Sequence, residues 1–267
     1  MSRKSLRDQA KQSHKRLETL QKDLKTLLMD GVEKTIKKQT QKILAYVKKN
    51  QNKQALFKIK VEDFKAPNEN TIKDATELLL KAYDEEALSI QKNLELDKIK
   101  SVATVRQMFK NLSSSDVNDL LSKIDNIMLY QLLEMADAWE DPKLIESQLF
   151  RSATTTMTAE VNRGKASVLP AKVINTARQQ SFDQHFDEIV TYTYYNPSPK
   201  ADICVYLAGK TVNKDDPGLL QPPLHYNCST VLLPNLSTFK NNPTAQKLAP
   251  NQKQIESINI GVKGMKA

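Results

Sequence analysis

Both cysteines, one of three histidines and six of eleven prolines fall in a single 39-residue stretch, Asn196 to Pro234, which reads NPSPKADICVYLAGKTVNKDDPGLLQPPLHYNCSTVLLP. Proline fixes φ and removes a backbone donor, so this stretch cannot continue a long helix. The rest of the chain is polar and helix-forming. The fold must therefore set a helical body beside one small irregular module that holds every thiol. Three uses of such a module are open: a metal site, a catalytic site, or a structural knot. Cys204 to Lys210 reads as a turn into a short strand, with Gly209 supplying a positive φ. Asp215-Asp216-Pro217-Gly218 reads as a second turn rather than a hard-cation site. Pro222 to Cys228 then returns the chain, so that pairing of the two halves as a hairpin brings Cys204 to His225 and Cys228. Zinc takes four ligands and these are three; no further residue has ideal spacing, which leaves water or Asp202 as candidates for the fourth.

A chain of 267 residues with 39% hydrophobic and 27% charged residues can bury a core in one large or two modest domains. No run approaches the roughly 18 consecutive apolar residues of a membrane-spanning helix, and the amino terminus lacks an apolar signal-peptide core, so synthesis inside the cell is expected. Two cysteines are too few for a disulfide framework. The net charge of +9 is unevenly spread. Residues 1–60 carry 17 basic and 5 acidic side chains, residues 61–150 carry 10 and 18, and residues 151–267 carry 13 and 8. The basic character is thus mainly an amino-terminal property, as expected of an arm that meets phosphate or another acidic surface, or of a solvated basic helix face.

From Ser13 to about Lys49, Leu17, Leu20, Leu24, Leu27, Val32, Ile36, Ile43 and Val47 recur at three- and four-residue intervals, which predicts one amphipathic helix, or two broken at Gly31. Lys22, Lys25, Lys34, Lys37, Lys38, Lys42, Lys48 and Lys49 occupy much of the remaining surface and are the candidate nucleic-acid contacts. Few aromatic residues accompany them, which disfavours a membrane-surface role. Gln54 to Phe64 reads as a short strand or extended connector, and Pro67 to Asn70 as the next helix start. Ala75, Leu78, Leu79, Ala82 and Tyr83 form one helical stripe. Ser113 to Asp116 reads as a cap before a second, formed by Val117, Leu120, Leu121, Ile124, Met128, Leu132 and Met135. Trp139, ahead of a Glu-Asp-Pro break, is expected to pack at a helix end. Helices are further expected over Leu144 to Val161, stopped at Arg163-Gly164-Lys165, and over Pro170 to Ile189. Ile189 to Tyr195 is the clearest strand, rich in β-branched and aromatic residues. His14 and His185 read as surface or helix-end residues. The chain after Pro234 reads as an extended or disordered tail that orders on a partner.

The order Asp202-x-Cys204, Leu207-x-Gly209-Lys210, turn, Pro222-Pro223-x-His225-x-Asn227-Cys228 resembles the carboxy-terminal signature of the Mu F-like head morphogenesis proteins, the minor head proteins of tailed bacteriophages. The resemblance covers roughly Arg151 to Pro234, including the helix from Asn175 that leads into the strand. Ala201 stands where many members carry a further cysteine, and Ser229-Thr230 follows Cys228 where many carry Arg-Cys or Arg-Ser. Cys204, His225 and Cys228 remain as ligands for one structural zinc, or as a metal-free knot.

The fold expected is mainly α with a small α+β carboxy-terminal domain: a basic helical arm (1–66), a helical region (67–150), the Mu F-like domain (151–234) and the tail (235–267). The resemblance implies a non-enzymatic structural protein of the virion head. It would be associated with the portal or the major capsid protein, act in head assembly and in DNA packaging or ejection, touch DNA through phosphates, and have no membrane partner. Two other classes are weighed beside it. One is a stand-alone nucleic-acid-binding protein with a zinc-ribbon-like module, for which stacking aromatics and a recognition helix are lacking. The other is a Cys/His hydrolase using Cys204 or Cys228 with His225.

Overall fold

A computed structural model describes residues 3–50, 53–94, 103–137, 142–186 and 188–258. Trp139 lies outside them. The chain is mainly helical with one small antiparallel sheet near its carboxy-terminal end. It divides into two compact units built from interleaved segments, Met1–Asp23 with Glu77–Lys110 and Ser167–Ala267 in the first, and Leu24–Thr76 with Asn111–Ala166 in the second.

Helix α1 runs unbroken over Arg3–Asn50. Its buried positions Leu6, Ala10, Ser13, Leu17, Leu20 and Leu24 alternate four and three residues apart, and Leu24, Leu28, Val32 and Ile36 follow at four. Gly31 does not break it, because it is a point of close approach in the second unit. A Cβ there would lie 2.6 Å from Thr71 Oγ1 and closer still to Thr71 Cγ2. Alanine at Gly31 improves helix propensity by about 1 kcal/mol, but overpacking of this kind costs about 1–3 kcal/mol. Gly31→Ala is therefore expected to lower the urea midpoint, and Gly31→Ala combined with Thr71→Ala to regain at least the wild-type value. A double variant no better than the single one would refute that contact.

The described residues of the second unit form helices and no strand. Gln54 to Phe64 forms no strand: α2 (Lys53–Leu56) and α3 (Val61–Phe64) are single turns that seat Leu56, Ile59 and Phe64 in the core. Three apolar residues at intervals of three and five follow one side of turning backbone, a pattern that short alternation mimics. Helix α4 (Glu69–Asn93) starts just after Pro67, as read. Helix α5 (Ala103–Asp137) begins about ten residues before the cap read at Ser113 to Asp116. Ser113 and Asp116 are instead buried helix-interior residues, on the stripe that continues through Val117, Leu120, Leu121, Ile124, Met128 and Leu132. Helix α6 (Pro142–Arg163) supplies Ile145, Leu149, Ala153, Met157 and Val161 and stops at Gly164.

The first unit holds the sheet. After a 3-10 turn, α7 (Leu169–Asp183) buries Val173, Ile174, Ala177, Arg178, Ser181 and Phe182, and it ends six residues short of the Ile189 limit read from sequence. Strand β1 (Ile189–Tyr195) is central, flanked by β2 (Thr211–Asn213) and β3 (Val231–Leu236), both antiparallel to it. Thr193 faces Thr211 on one side and Leu233 on the other. Every residue of β3 is buried, and α7 packs against it. Between β1 and β2 comes α8 (Asp202–Leu207), a helix where a turn and strand were expected. Ile203, Cys204 and Leu207 fall on one helical face and are all buried, which a strand with alternating faces could not achieve.

The segment after Leu236 is extended as read, but it is held by its own chain. Gln246 N donates to Thr211 O at 2.8 Å, Ala249 N to Tyr206 Oη at 2.8 Å, and Ile203 N to Ser257 Oγ at 3.0 Å. A one-turn helix, α9 (Gln252–Glu256), packs on α8. The tail thereby covers the open edge of β2, which would otherwise be a template for unwanted pairing.

One charge network crosses the core of the first unit, and nothing in the sequence pattern marked it. Glu86 of α4 is fully buried and accepts from Arg16 Nε at 2.7 Å, from Ser13 Oγ at 2.5 Å and from Arg178 Nη1 at 3.4 Å. Arg178, 2% exposed, also donates to Ser13 Oγ and, at 3.1 Å, to the Leu232 carbonyl of β3, and its guanidinium lies 5.1 Å from the Phe182 ring centre. Burial lowers its pKa, and Glu86 opposes that shift.

Candidate metal centre

Cys204 sits on the buried face of α8, while His225 and Cys228 come from the irregular loop ahead of β3. The two sides do not form the expected hairpin, since β2 and β3 each pair with β1. What joins them is the short helix lying across the loop. Cys204 Sγ is 3.0 Å from His225 Nε2 and 3.8 Å from Cys228 Sγ, and the three donor atoms lie within 4.8 Å of one another. Both thiols are buried and neither is in a disulfide.

This donor set suits a metal ion. Two thiolates on one tetrahedral zinc, at Zn–S distances of about 2.3 Å, stand roughly 3.7 Å apart, close to the separation of the two sulfurs. His225 Nδ1 lies 2.7 Å from the Tyr226 carbonyl, which can only accept, so Nδ1 carries a proton and Nε2 is the ring nitrogen that faces the sulfurs. The Thr230 hydroxyl donates to Cys204 Sγ at 3.2 Å. The two thiols are shifted in opposite directions. The hydrogen bond with Cys228, followed by burial, pushes the Cys204 thiol up. The same bond, aided by His225, holds Cys228 well below the ordinary thiol range against the opposing effect of burial. Burial pulls His225 down, but its hydrogen bond to Cys228 and that residue's charge outweigh it, so the net shift is upward. A thiol whose ionisation is favoured beside an imidazole suits a ligand set.

The signature positions acquire local reasons. Leu207 is fully buried, and Gly209 has φ +79, with open space where a side chain would begin. Lys210 accepts from Tyr194 N through its carbonyl and sets its ammonium 4.5 Å from the Tyr206 ring centre. The Pro222–Pro223 peptide is cis, and Asn227 takes φ 53, a region asparagine tolerates better than most residues. Asp202 is no ligand: it pairs with Lys253 at 3.1 Å on the surface and lies outside the cluster. Asp216 caps its own turn by accepting from Gly218 N at 2.7 Å, as read.

His14 is not a surface residue. It is buried in mid-helix, with Nδ1 2.8 Å from the Ser229 carbonyl and its ring edge-on to Tyr195. His185 lies just past the end of α7, its Nδ1 2.8 Å from the Ser181 carbonyl. All eight candidate lysines are exposed along α1. At about 100° per residue, Lys34, Lys37, Lys38, Lys42, Lys48 and Lys49 fall within roughly 140° of one another, and Lys22 and Lys25 fall outside that sector. Lys42 also donates to the Lys65 carbonyl.

Among the described residues Cys204, His225 and Cys228 are the one cluster able to hold a metal ion, and none of the helices is long and apolar enough to cross a membrane. No family model matches the chain, and neither a curated protein nor a solved structure does.

Proposed function

We propose that this protein is a minor head protein of a tailed bacteriophage, a non-enzymatic virion component that associates with the portal or the major capsid protein and acts in head assembly and DNA packaging or ejection. The observation that carries the reading is the convergence of the two halves of the Mu F-like signature. Cys204, from the half that runs on to Leu207-x-Gly209-Lys210, and the Pro222 to Cys228 half are separated in sequence, yet Cys204 meets both His225 and Cys228. In this reading the three side chains hold one structural zinc, with a fourth ligand from outside the trio, and the ion closes a module too small to be stable on its own core. Burial of both sulfurs favours ligands over a nucleophile, which needs access to a substrate.

DNA contact rests on the exposed lysines of α1, above all the six from Lys34 to Lys49. Such contacts neutralise phosphates without reading bases, and each steepens the salt dependence by about 0.9 in log K against log salt. Mass spectrometry of purified immature and mature heads should detect the chain at low copy number; its absence from both would sink the proposal. Replacing the six lysines by glutamine is expected to weaken DNA retention and flatten its salt dependence. Retention indifferent to salt in the unmodified chain would remove the DNA contact while leaving the head assignment standing.

A further inference from the structure

The loop carrying two of the three metal-type ligands has no regular secondary structure at residues 225–230, so its carbonyls need donors from elsewhere. Three consecutive carbonyls find them in side chains. Cys228 O accepts from Gln21 Nε2 at 3.0 Å, Ser229 O accepts from His14 Nδ1 at 2.8 Å, and Thr230 O accepts from Asn175 Nδ2 at 3.1 Å. Two of these donors stand on α1, seven residues and therefore about two turns apart, on the face that also buries Leu17 and Leu20. His14 can donate to Ser229 only from a protonated Nδ1, and its other ring nitrogen lies 3.4 Å from Glu18. The amino-terminal helix thus grips the backbone of a ligand residue and of its neighbour.

We infer that His14 and Gln21 are positioning residues of the metal centre, and that metal binding and docking of residues 3–23 of α1 are coupled. The inference rests on the zinc reading above and adds how that site is regulated. An ion that fixes Cys228 and His225 also fixes the carbonyls that receive α1. By reciprocity, whatever pulls α1 off the loop weakens the metal by the same factor.

The test uses the full chain and zinc itself. Zinc affinity is measured by competition with a chromophoric chelator, and amide exchange over residues 9–23 is compared with and without zinc. Zinc is expected to slow exchange there in the unmodified chain, a measurement that needs no variant. Gln21→Glu keeps the side-chain shape but has no donor, and it is expected to lose about tenfold or more in zinc affinity. His14→Gln, which restores an amide donor, should lose less affinity than His14→Ala. Zinc binding by the unmodified chain with unaltered exchange at 9–23, and Gln21→Glu within twofold of it, would overturn the coupling. An unmodified chain that binds no zinc would instead overturn the metal site, and the coupling with it.

Discussion

Arg178→Met is expected to destabilise the first unit by about 3–5 kcal/mol, the cost of leaving one member of a buried ion pair without its partner. Glu86 is fully buried, and its carboxylate is held by Arg178, Arg16 and Ser13. Arg16 is 30% exposed on its side chain and reaches water, so it cannot fully replace a guanidinium that is 2% exposed. The same substitution leaves the Leu232 carbonyl of β3 without the Arg178 donor. Methionine preserves most of the volume and the contact with Phe182, so the loss reads charge and hydrogen bonding rather than a cavity. The control is Arg178→Met with Glu86→Leu, which removes both charges and should recover most of the loss, because an apolar replacement of a whole buried pair is close to neutral. Urea unfolding followed by circular dichroism reads both variants. A single variant within 1 kcal/mol of wild type would show that the network contributes specificity and little stability.

Removal of the proposed zinc is the second large effect. The chain is expected to purify with about one equivalent of zinc by elemental analysis, and Cys228→Ser to purify with little. An ion at a thousandfold excess over its dissociation constant stabilises the folded state by about 4 kcal/mol, so a strong chelator should lower the melting temperature of the unmodified chain by several degrees. Cys228→Ser should melt at the chelated value and be insensitive to chelator. Its serine also loses the thiolate that the surroundings of Cys228 favour. Equal melting temperatures with and without chelator, together with no zinc by elemental analysis, would leave the trio as a packed, metal-free knot.

Much of this architecture was legible in the chain. The apolar stripes of α1, α4 and α5, the stop of α6 at Gly164 and the strand at Ile189 follow from periodicity and from glycine and proline placement, which act locally. The readings that failed involved short segments, in which periods of 2 and 3.6 are hard to separate. Cys204 to Lys210 read as a turn into a short strand, yet its first four residues complete the helix Asp202–Leu207, because burial of Ile203, Cys204 and Leu207 together requires one. Ser113 to Asp116 carries good cap chemistry, yet the helix runs through it because those residues lie on its buried face. His14 read as a surface residue because its helical neighbours are polar; the Ser229 carbonyl that buries it lies 215 residues away.

The sequence by itself determined the helical body, the central strand, the basic amino-terminal helix and the three residues able to ligate a metal, since each is written in spacing or residue type. Tertiary structure alone decided that Gly31 is a contact point, that Glu86 and Arg178 meet in the core, and that the tail seals the edge of β2. It also placed His14 and Gln21 against the ligand loop. Each of these depends on which distant segments are brought together, and a hydrogen bond between residues more than 90 positions apart, such as that of Arg178 with Glu86, leaves no periodic trace in the chain.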